Sequence, residues 1–95
     1  MNLKSVIKST RLPKKLMAKF CDANNKCKIV HFGAQGYSDY TIHHDKKRRA
    51  NYQKRHHSGR NAKSDTPNAL SYHLLWGSST SLTENIKTFK KKYNV

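Results

Sequence analysis

The sequence predicts an α+β fold in which a small antiparallel β-hairpin sheet packs with a basic helix and two short C-terminal helices. Residues 16–20 and 28–32 are short segments whose apolar and polar side chains partly alternate, as in strands with one buried face. The segment between them, residues 22–26, is rich in the turn formers Asp and Asn. Helix-start signals follow from residue 45 onwards. We therefore expect two or three antiparallel strands followed by helices.

The length of the chain allows one domain only. Its 95 residues are 35% apolar with a mean hydropathy of −0.96, so the core must be small. Five Tyr, three Phe and one Trp can supply buried area and argue against full disorder. Residues 16–95 are expected to form this single domain. Residues 1–15 carry five Lys or Arg around Pro13 and predict a flexible basic arm.

Two glycines follow the predicted hairpin and indicate a turn. Gly33 and Gly36 lie three residues apart, where the backbone is expected to adopt positive φ or to approach another element closely. Ser38 or Asp39 is then expected to cap a short turn that holds Tyr40.

The next segment predicts the most basic helix of the chain. Asp45 is a favourable N-cap for a helix that runs to about His57. Gly59 is available to end that helix, and residues 58–64 are expected to form a flexible polar loop.

Two further start signals predict the C-terminal helices. Thr66 precedes Pro67, which favours a short helix through Trp76 that ends at Gly77. Ser81 opens the Ser-Leu-Thr-Glu pattern of a capping box. Apolar residues follow it at helical spacing and are expected to form core with the Leu-Leu-Trp run that precedes it: Leu82, Ile86, Phe89 and Tyr93 with Leu74, Leu75 and Trp76.

Charge is the strongest functional signal. Twenty Lys and Arg stand against five Asp and Glu, a formal net charge of +15. A small folded body of this charge repels itself, and a polyanionic partner relieves the repulsion. Nucleic acid is the first candidate, followed by an anionic membrane surface and by an acidic protein surface in a large assembly. No stretch predicts a membrane span or a secretory signal, so we expect an intracellular, reducing location.

The predicted central helix carries most of the candidate phosphate ligands. Arg48, Tyr52 and Arg55 lie along one side of such a helix. For Tyr52 we expect a ring that anchors the helix to the hairpin rather than one that stacks on a base. No pattern specifies a base sequence, so the expected contacts are to backbone phosphates. The predicted nucleic-acid-binding residues are Lys14, Lys15, Lys46, Lys47, Arg48, Arg49, Lys54, Arg55 and Arg60.

Histidines raise the alternative of a metal-dependent nuclease. His31 on a predicted strand, with His43 and His44 before the basic helix, imitates part of a hairpin-helix nuclease site. Only Asp39 and Asp45 lie nearby, and neither has a compelling ligand spacing. We therefore expect no catalytic residue, no bound metal and no cofactor.

The two cysteines, Cys21 and Cys27, have five intervening residues, more than the about two to four that usually separate zinc thiolates. A reducing location predicts free thiols that act as small hydrophobic side chains. A disulfide across the hairpin is the alternative if the mature protein resides in an oxidised particle. The sequence leaves the redox state open.

The ten residues His-Phe-Gly-Ala-Gln-Gly-Tyr-Ser-Asp-Tyr, at positions 31–40, form a specific block. The further residues of the pattern are Arg48, Tyr52, Arg55, His56, Leu74, Leu75, Trp76, Ser81, Leu82 and Ile86. Over roughly residues 10–90 the chain resembles a family of small basic proteins encoded by giant nucleocytoplasmic large DNA viruses. That family has no assigned function. The resemblance implies a viral origin and a location in the virion, and in the host cytoplasm or viral factory during infection.

These observations predict a non-enzymatic, small basic virion structural protein. It would bind nucleic acid, in the first instance double-stranded DNA, for genome packaging or condensation. The main alternative is a minor capsid or scaffold protein whose basic surface contacts acidic viral shell proteins. The nuclease is a third interpretation, and no small-molecule substrate is expected. The sequence leaves the DNA or RNA preference and the oligomeric state open.

Overall fold

The computed structural model describes residues 1–95 as a three-stranded antiparallel sheet followed by four helices, so the predicted α+β class is confirmed. The strands are β1 (Asn2–Lys8), β2 (Leu16–Cys21) and β3 (Cys27–Phe32), in the spatial order β1-β2-β3. The helices are α1 (Tyr40–His43), α2 (Lys46–Arg55), α3 (Pro67–Leu70) and α4 (Leu82–Tyr93). A 3₁₀ turn (His57–Arg60) follows α2, and a wide π turn (Ser71–Leu75) continues α3.

The predicted hairpin is formed by β2 and β3. The carboxylate of Asp22 accepts hydrogen bonds from the backbone N–H groups of Asn24 and Lys26, both at 2.9 Å, and this holds the turn. The register places Cys21 opposite Cys27 with a Cα–Cα distance of 4.1 Å, and the two form a disulfide. The structure therefore differs from the expected free thiols, because strand pairing brings the two sulfurs together.

Residues 2–8 form a strand, which contradicts the predicted flexible arm over residues 1–15. β1 pairs antiparallel with β2, with a register shift between Leu3 and Ser5. Leu3 is buried and Val6 packs against the core, whereas Lys4 and Lys8 are exposed. Lysines are common on edge strands, where they discourage pairing with other chains. Their charge made the segment resemble an arm although its apolar residues belong to the sheet.

One face of the sheet packs against α3, the π turn and α4. Phe20 and Phe32 from the sheet are fully buried together with Leu70, Leu74 and Phe89 from the helical layer. The remaining buried members of this cluster are Leu3, Ala18, Val30 and Leu75. Burial of such side chains contributes about 1.5–3 kcal/mol each, so this layer holds the fold together.

A buried amide joins the C-terminal elements. The Asn85 side chain donates from Nδ2 to the carbonyl oxygens of Leu74, at 3.0 Å, and of Ser79, at 2.8 Å. Its Oδ1 accepts from the backbone N–H of Ser79 at 3.0 Å. Gly77 lies against the same side chain, where an added Cβ would lie 2.2 Å from the carbonyl oxygen of His73. This close approach explains why glycine follows the π turn.

The basic helix ends two residues earlier than predicted. α2 stops at Arg55, with His56 as its C-cap. Gly59 lies inside the 3₁₀ turn and is buried, and an added Cβ there would lie 2.8 Å from Cβ of Tyr72. Gly59 therefore permits close packing rather than ending α2. The beginning of the predicted flexible loop at residues 58–64 is an ordered turn.

The predicted helix starts agree with the structure. The Asp39 carboxylate caps α1, Thr66 Oγ1 accepts from Ala69 N–H before α3, and Ser81 Oγ accepts from Glu84 N–H before α4. Both C-terminal helices therefore begin where their sequence signals indicated. None of the helices combines the length and the hydropathy that a bilayer crossing requires.

Candidate nucleic-acid interface

The basic helix α2 begins at a well-formed cap and lies on the surface. Asp45 Oδ1 accepts from the backbone N–H groups of Lys47, at 2.9 Å, and Arg48, at 3.2 Å. A carboxylate at this position also interacts favourably with the partial positive charge at the N-terminal end of the helix. None of the residues of α2 is fully buried. The helix is therefore held by a few specific contacts instead of a broad apolar face.

Those contacts converge on Trp76, which follows the π turn. Arg49 Nε donates to the carbonyl oxygens of Gly77, at 2.6 Å, and Trp76, at 3.3 Å. Gln53 Nε2 also donates to the Trp76 carbonyl, at 3.1 Å. The ring of Tyr52 stacks on that of Trp76 with 4.3 Å between centroids and 4° between planes. The predicted anchoring role of Tyr52 is thus directed to Trp76, whereas the sequence had suggested the hairpin.

Arg49 is partly buried, whereas the other Lys and Arg residues of α2 are exposed. Its guanidinium also lies over the Tyr40 ring, with 5.5 Å between Cζ and the centroid. Arg49 was predicted as a phosphate ligand, but the structure uses it to attach α2 to the C-terminal half. Partial burial raises the pKa of Tyr52, in keeping with its place in the same attachment.

Five cations of α2 remain free of intramolecular partners. They are exposed and form neither a side-chain hydrogen bond nor an ion pair within the chain: Lys46, Lys47, Arg48, Lys54 and Arg55. We call these residues the α2 basic surface. The chain forms two ion pairs, Lys15 with Asp39 and Lys28 with Asp65, so the acidic residues leave this surface uncompensated.

The predicted ligands outside α2 are placed differently from one another. Lys14 is exposed in the loop between β1 and β2. Lys15 Nζ lies 2.6 Å from Asp39 Oδ2 and donates to the Tyr37 carbonyl at 2.7 Å, so its charge is largely satisfied inside the protein. Arg60 is exposed at the end of the 3₁₀ turn. The structure thus places Lys46, Lys47, Arg48, Lys54 and Arg55 together on α2, whereas Lys15 forms an ion pair inside the protein.

A cleft of about 480 Å³ runs beside α2. Arg48, Asn51 and Arg55 line it from the helix. The loop after β3 also contributes to the lining, through Gly33, Ala34, Tyr37, Ser38 and Asp39. Its remaining lining residues are Lys15, Tyr52, His56, Ser71, Leu75 and Trp76. This cleft could not be recognised from the sequence, because its walls come from parts of the chain that only tertiary packing brings together.

A row of stacked rings supports the cleft. Tyr52 is covered on one side by Trp76 and lies 4.4 Å from the His56 ring, with 25° between their planes. The His43 ring lies 5.2 Å from that of Trp76. Tyr37 is different, because its side chain stands at the rim and is 75% exposed. It is the one large aromatic side chain of the cleft that is free to stack on a ligand.

The histidines considered for a nuclease do not converge. His31 Nδ1 lies 2.7 Å from Ser9 Oγ on the sheet, and His44 is exposed. His43 Nδ1 accepts from Asp45 N–H at 2.8 Å, which places the proton of a neutral ring on Nε2. That Nε2 is buried without a hydrogen-bond partner. No three His, Cys, Asp or Glu side chains form a metal-binding group in this structure.

Sequence reasoning missed Tyr37 and Trp76 as residues of a candidate site. Gly36 has a φ of +84° and precedes Tyr37, so the two-glycine turn presents an aromatic ring to solvent. A Gly-Tyr step after a strand was therefore the available signal for Tyr37. Trp76 was assigned to the core, and it does pack against it, but its ring also forms part of the cleft wall.

A family model matches residues 4–56 of this chain. The match covers β2, β3, α1 and α2 completely and most of β1. Its description is a family of unknown function, DUF5754. No curated protein and no solved structure matches the chain. Because the matched segment is more than half of the 95 residues, the chain belongs to the DUF5754 family.

Proposed function

We propose that this member of the DUF5754 family is a non-enzymatic nucleic-acid-binding protein that contacts backbone phosphates through the α2 basic surface. The observation that carries the proposal is the set of five exposed cations on one capped helix, none of which has an acidic partner in the chain. Like charges crowded on a short helix destabilise it. A row of phosphates supplies the missing counter-charge and releases condensed counterions.

The anchoring of α2 supports the proposal. Arg49, Tyr52 and Gln53 use the inward side of the helix. Lys47 and Lys54 occupy the outer side, away from these contacts. The helix is therefore fixed in orientation by one set of side chains while another set is left for a ligand. The resemblance of the block at residues 31–40 to proteins of giant DNA viruses suggests a packaged viral genome as the target and the virion as the location.

The test is the salt dependence of binding to a mixed-sequence DNA duplex. Fluorescence anisotropy with the purified chain across roughly 50–300 mM salt should give a log–log slope of about −0.9 per phosphate neutralised. Five contacts would give a slope of about −4 to −5. An unstructured peptide of equal charge is the first control, because it reports what charge alone achieves.

A matched pair of variants tests the position of the surface. Lys46→Ala, Lys47→Ala and Lys54→Ala together remove three exposed charges from α2. Lys87→Ala, Lys90→Ala and Lys91→Ala remove three exposed charges from α4. We expect the α2 triple variant to reduce the slope by about 2–3 while the α4 triple variant changes it little. Equal losses from the two variants would contradict the assignment to α2.

The comparison with the peptide also separates the two kinds of partner. Binding to DNA no tighter than that of the peptide would overturn the nucleic-acid proposal. It would then favour an acidic protein surface, such as that of a shell protein, as the partner of the same cations.

A further inference from the structure

The cleft beside α2 is distinct from the outer side of the helix that a duplex would meet. Its volume of about 480 Å³ suits one small organic group. A duplex about 20 Å wide cannot enter such a space, whereas a single unpaired nucleotide can, as in proteins that hold a base outside the stack. The cleft therefore has to be explained separately from phosphate contacts along a helix.

Two free guanidinium groups stand on one wall of the cleft. Arg48 and Arg55 are seven residues apart, which places their Cα atoms about 10 Å apart along the same side of α2. Neither forms an ion pair or a side-chain hydrogen bond within the chain. Guanidinium groups bind phosphate with paired, charge-assisted hydrogen bonds. The wall therefore offers two phosphate ligands that face into the cleft.

The only carboxylate of the cleft does not oppose an anion. Asp39 is 2% exposed, and its oxygens accept from Lys15 Nζ and from the backbone N–H and the hydroxyl of Thr41. Its charge is compensated by Lys15. With Arg48 and Arg55 added, the lining of the cleft is positive.

Tyr37 provides an exposed aromatic face in the lining of the cleft. Its backbone is fixed on both sides, because its N–H donates to the Ala34 carbonyl at 3.3 Å and its carbonyl accepts from Lys15 Nζ at 2.7 Å. The ring itself is 75% exposed. Because the backbone is already fixed, little conformational entropy is lost when the free ring stacks on a base.

We infer that the cleft holds one unpaired nucleotide, with its base against Tyr37 and its phosphate between Arg48 and Arg55. The inference rests on the proposed function for the identity of the partner, since it assigns the nucleotide to a nucleic-acid strand bound by α2. The protein then binds a duplex next to a single-stranded tail or gap more tightly than a blunt duplex.

The experiment compares four probes on the 95-residue chain: a blunt duplex, the same duplex with a short unpaired tail, the same tail made abasic, and a nucleoside monophosphate. Affinity is measured by anisotropy for the three duplexes. Trp76 is the only tryptophan and lines the cleft, so its fluorescence reports occupancy for all four. We expect the tailed duplex to bind about tenfold more tightly than the blunt one, and the abasic tail to lose most of that gain.

Variants with matched controls locate the effect. Tyr37→Ala replaces an exposed ring and should reduce the affinity ratio of the tailed to the blunt duplex from about ten to about one. Arg55→Gln, at the cleft, should reduce the preference for the tail as well as overall affinity. Lys54→Gln, its neighbour on the outer side, should lower affinity for both duplexes by the same factor.

The outcomes separate this inference from the proposed function. Tight binding of the blunt duplex with no gain from the tail, or a gain that Tyr37→Ala retains, overturns the inference alone. Failure to bind any duplex more tightly than the basic peptide overturns both. Quenching of Trp76 by the nucleoside monophosphate without any preference for the tailed duplex overturns the strand assignment in favour of a free nucleotide.

Discussion

The two halves of this molecule differ in what holds them in place. The sheet, α3 and α4 share a core in which Phe20, Phe32 and Phe89 are almost completely buried. The helix α2 has no buried residue and is attached by two hydrogen-bonding side chains and one stacked ring. Stability thus comes mainly from one half, whereas the other half carries the densest run of cations, six in ten residues.

This division has a physical reason. Lys and Arg are rarely fully buried, so a helix with six of them in ten residues cannot supply an apolar face. It can still be fixed in orientation through polar contacts to backbone carbonyls, which leave the other cations in water. Trp76 is the point of connection, because its carbonyl and its ring both receive contacts from α2. Four predictions test how far the two halves are separable.

The largest effect is expected in the core. Phe20→Ala should lower the free energy of unfolding by about 3–5 kcal/mol, because it removes a fully buried ring and leaves a cavity. Urea unfolding followed by circular dichroism measures the change, with Tyr37→Ala as an exposed aromatic control. A loss of under about 1 kcal/mol would contradict the view that the sheet carries the core.

The next effect distinguishes adjacent arginines on α2. Arg49→Ala should lower the free energy of unfolding by about 1.5–3 kcal/mol, because Arg49 donates to the Gly77 and Trp76 carbonyls. Arg48→Ala should change it by under about 0.5 kcal/mol, since Arg48 is exposed without a partner. The same urea titrations, paired with DNA anisotropy, should show the reverse order for binding. Equal stabilities would mean that Arg49 does not attach α2.

A third effect belongs to the sheet alone. Reduction of the Cys21–Cys27 disulfide should lower the free energy of unfolding by about 2 kcal/mol, because the bond closes a short loop. DNA affinity should stay the same, since no contact that attaches α2 involves either cysteine. Urea unfolding and DNA anisotropy with and without reductant measure the two effects. The stability of the double variant Cys21→Ala, Cys27→Ala should not depend on the reductant. A parallel loss of DNA affinity would show that the halves are coupled.

The smallest effect is a pH dependence at the C-terminal helices. Burial lowers the pKa of His73 from its ordinary 6.5, and its Nε2 lies 2.9 Å from the Arg60 carbonyl oxygen. The unfolded chain takes up this proton at higher pH than the folded one. Stability contributed by neutral His73 is therefore present above pH 6.5, declines as the pH falls below it, and is lost once the pH is below the folded pKa.

Thermal unfolding between pH 7.5 and 5 tests this expectation. His73→Gln should show a shallower fall in melting temperature with decreasing pH than the unchanged chain. His57→Gln is the matched control, because His57 is exposed and its side chain makes no hydrogen bond within the chain. If the two variants follow the same pH profile, His73 does not contribute to it.

Local signals in the sequence were enough for several elements. The hairpin of β2 and β3 and the starts of α3 and α4 depend on turn and cap residues next to them in the chain, and the structure has them in place. β1 was missed because its partner strand and its core contacts are distant in sequence, and because Lys4 and Lys8 resemble an arm. The end of α2 was misplaced because Gly59 is required by packing against Tyr72.

The candidate site also combines features that could be predicted from the sequence with features that could not. The concentration of cations on the helix after Asp45 could be predicted from the sequence, because a helix of known start fixes which residues it contains. The disulfide could not be decided, since it depends on the register that sets Cys21 opposite Cys27 as well as on the redox environment. The cleft could not be predicted either, because its walls come from residues 15 to 76 of the chain.

The amino-acid sequence by itself determined the net charge of +15, the hairpin followed by helices, and the polar caps that begin the helices. These follow from composition and from interactions within a few residues. Tertiary structure alone decided which cations are free. Arg48 and Arg49 are identical neighbours in sequence, yet packing of α2 on Trp76 turns one toward the cleft and the other onto backbone carbonyls. A residue three or four positions along a helix shares its face and an adjacent one does not, so the docking orientation assigns each arginine its role.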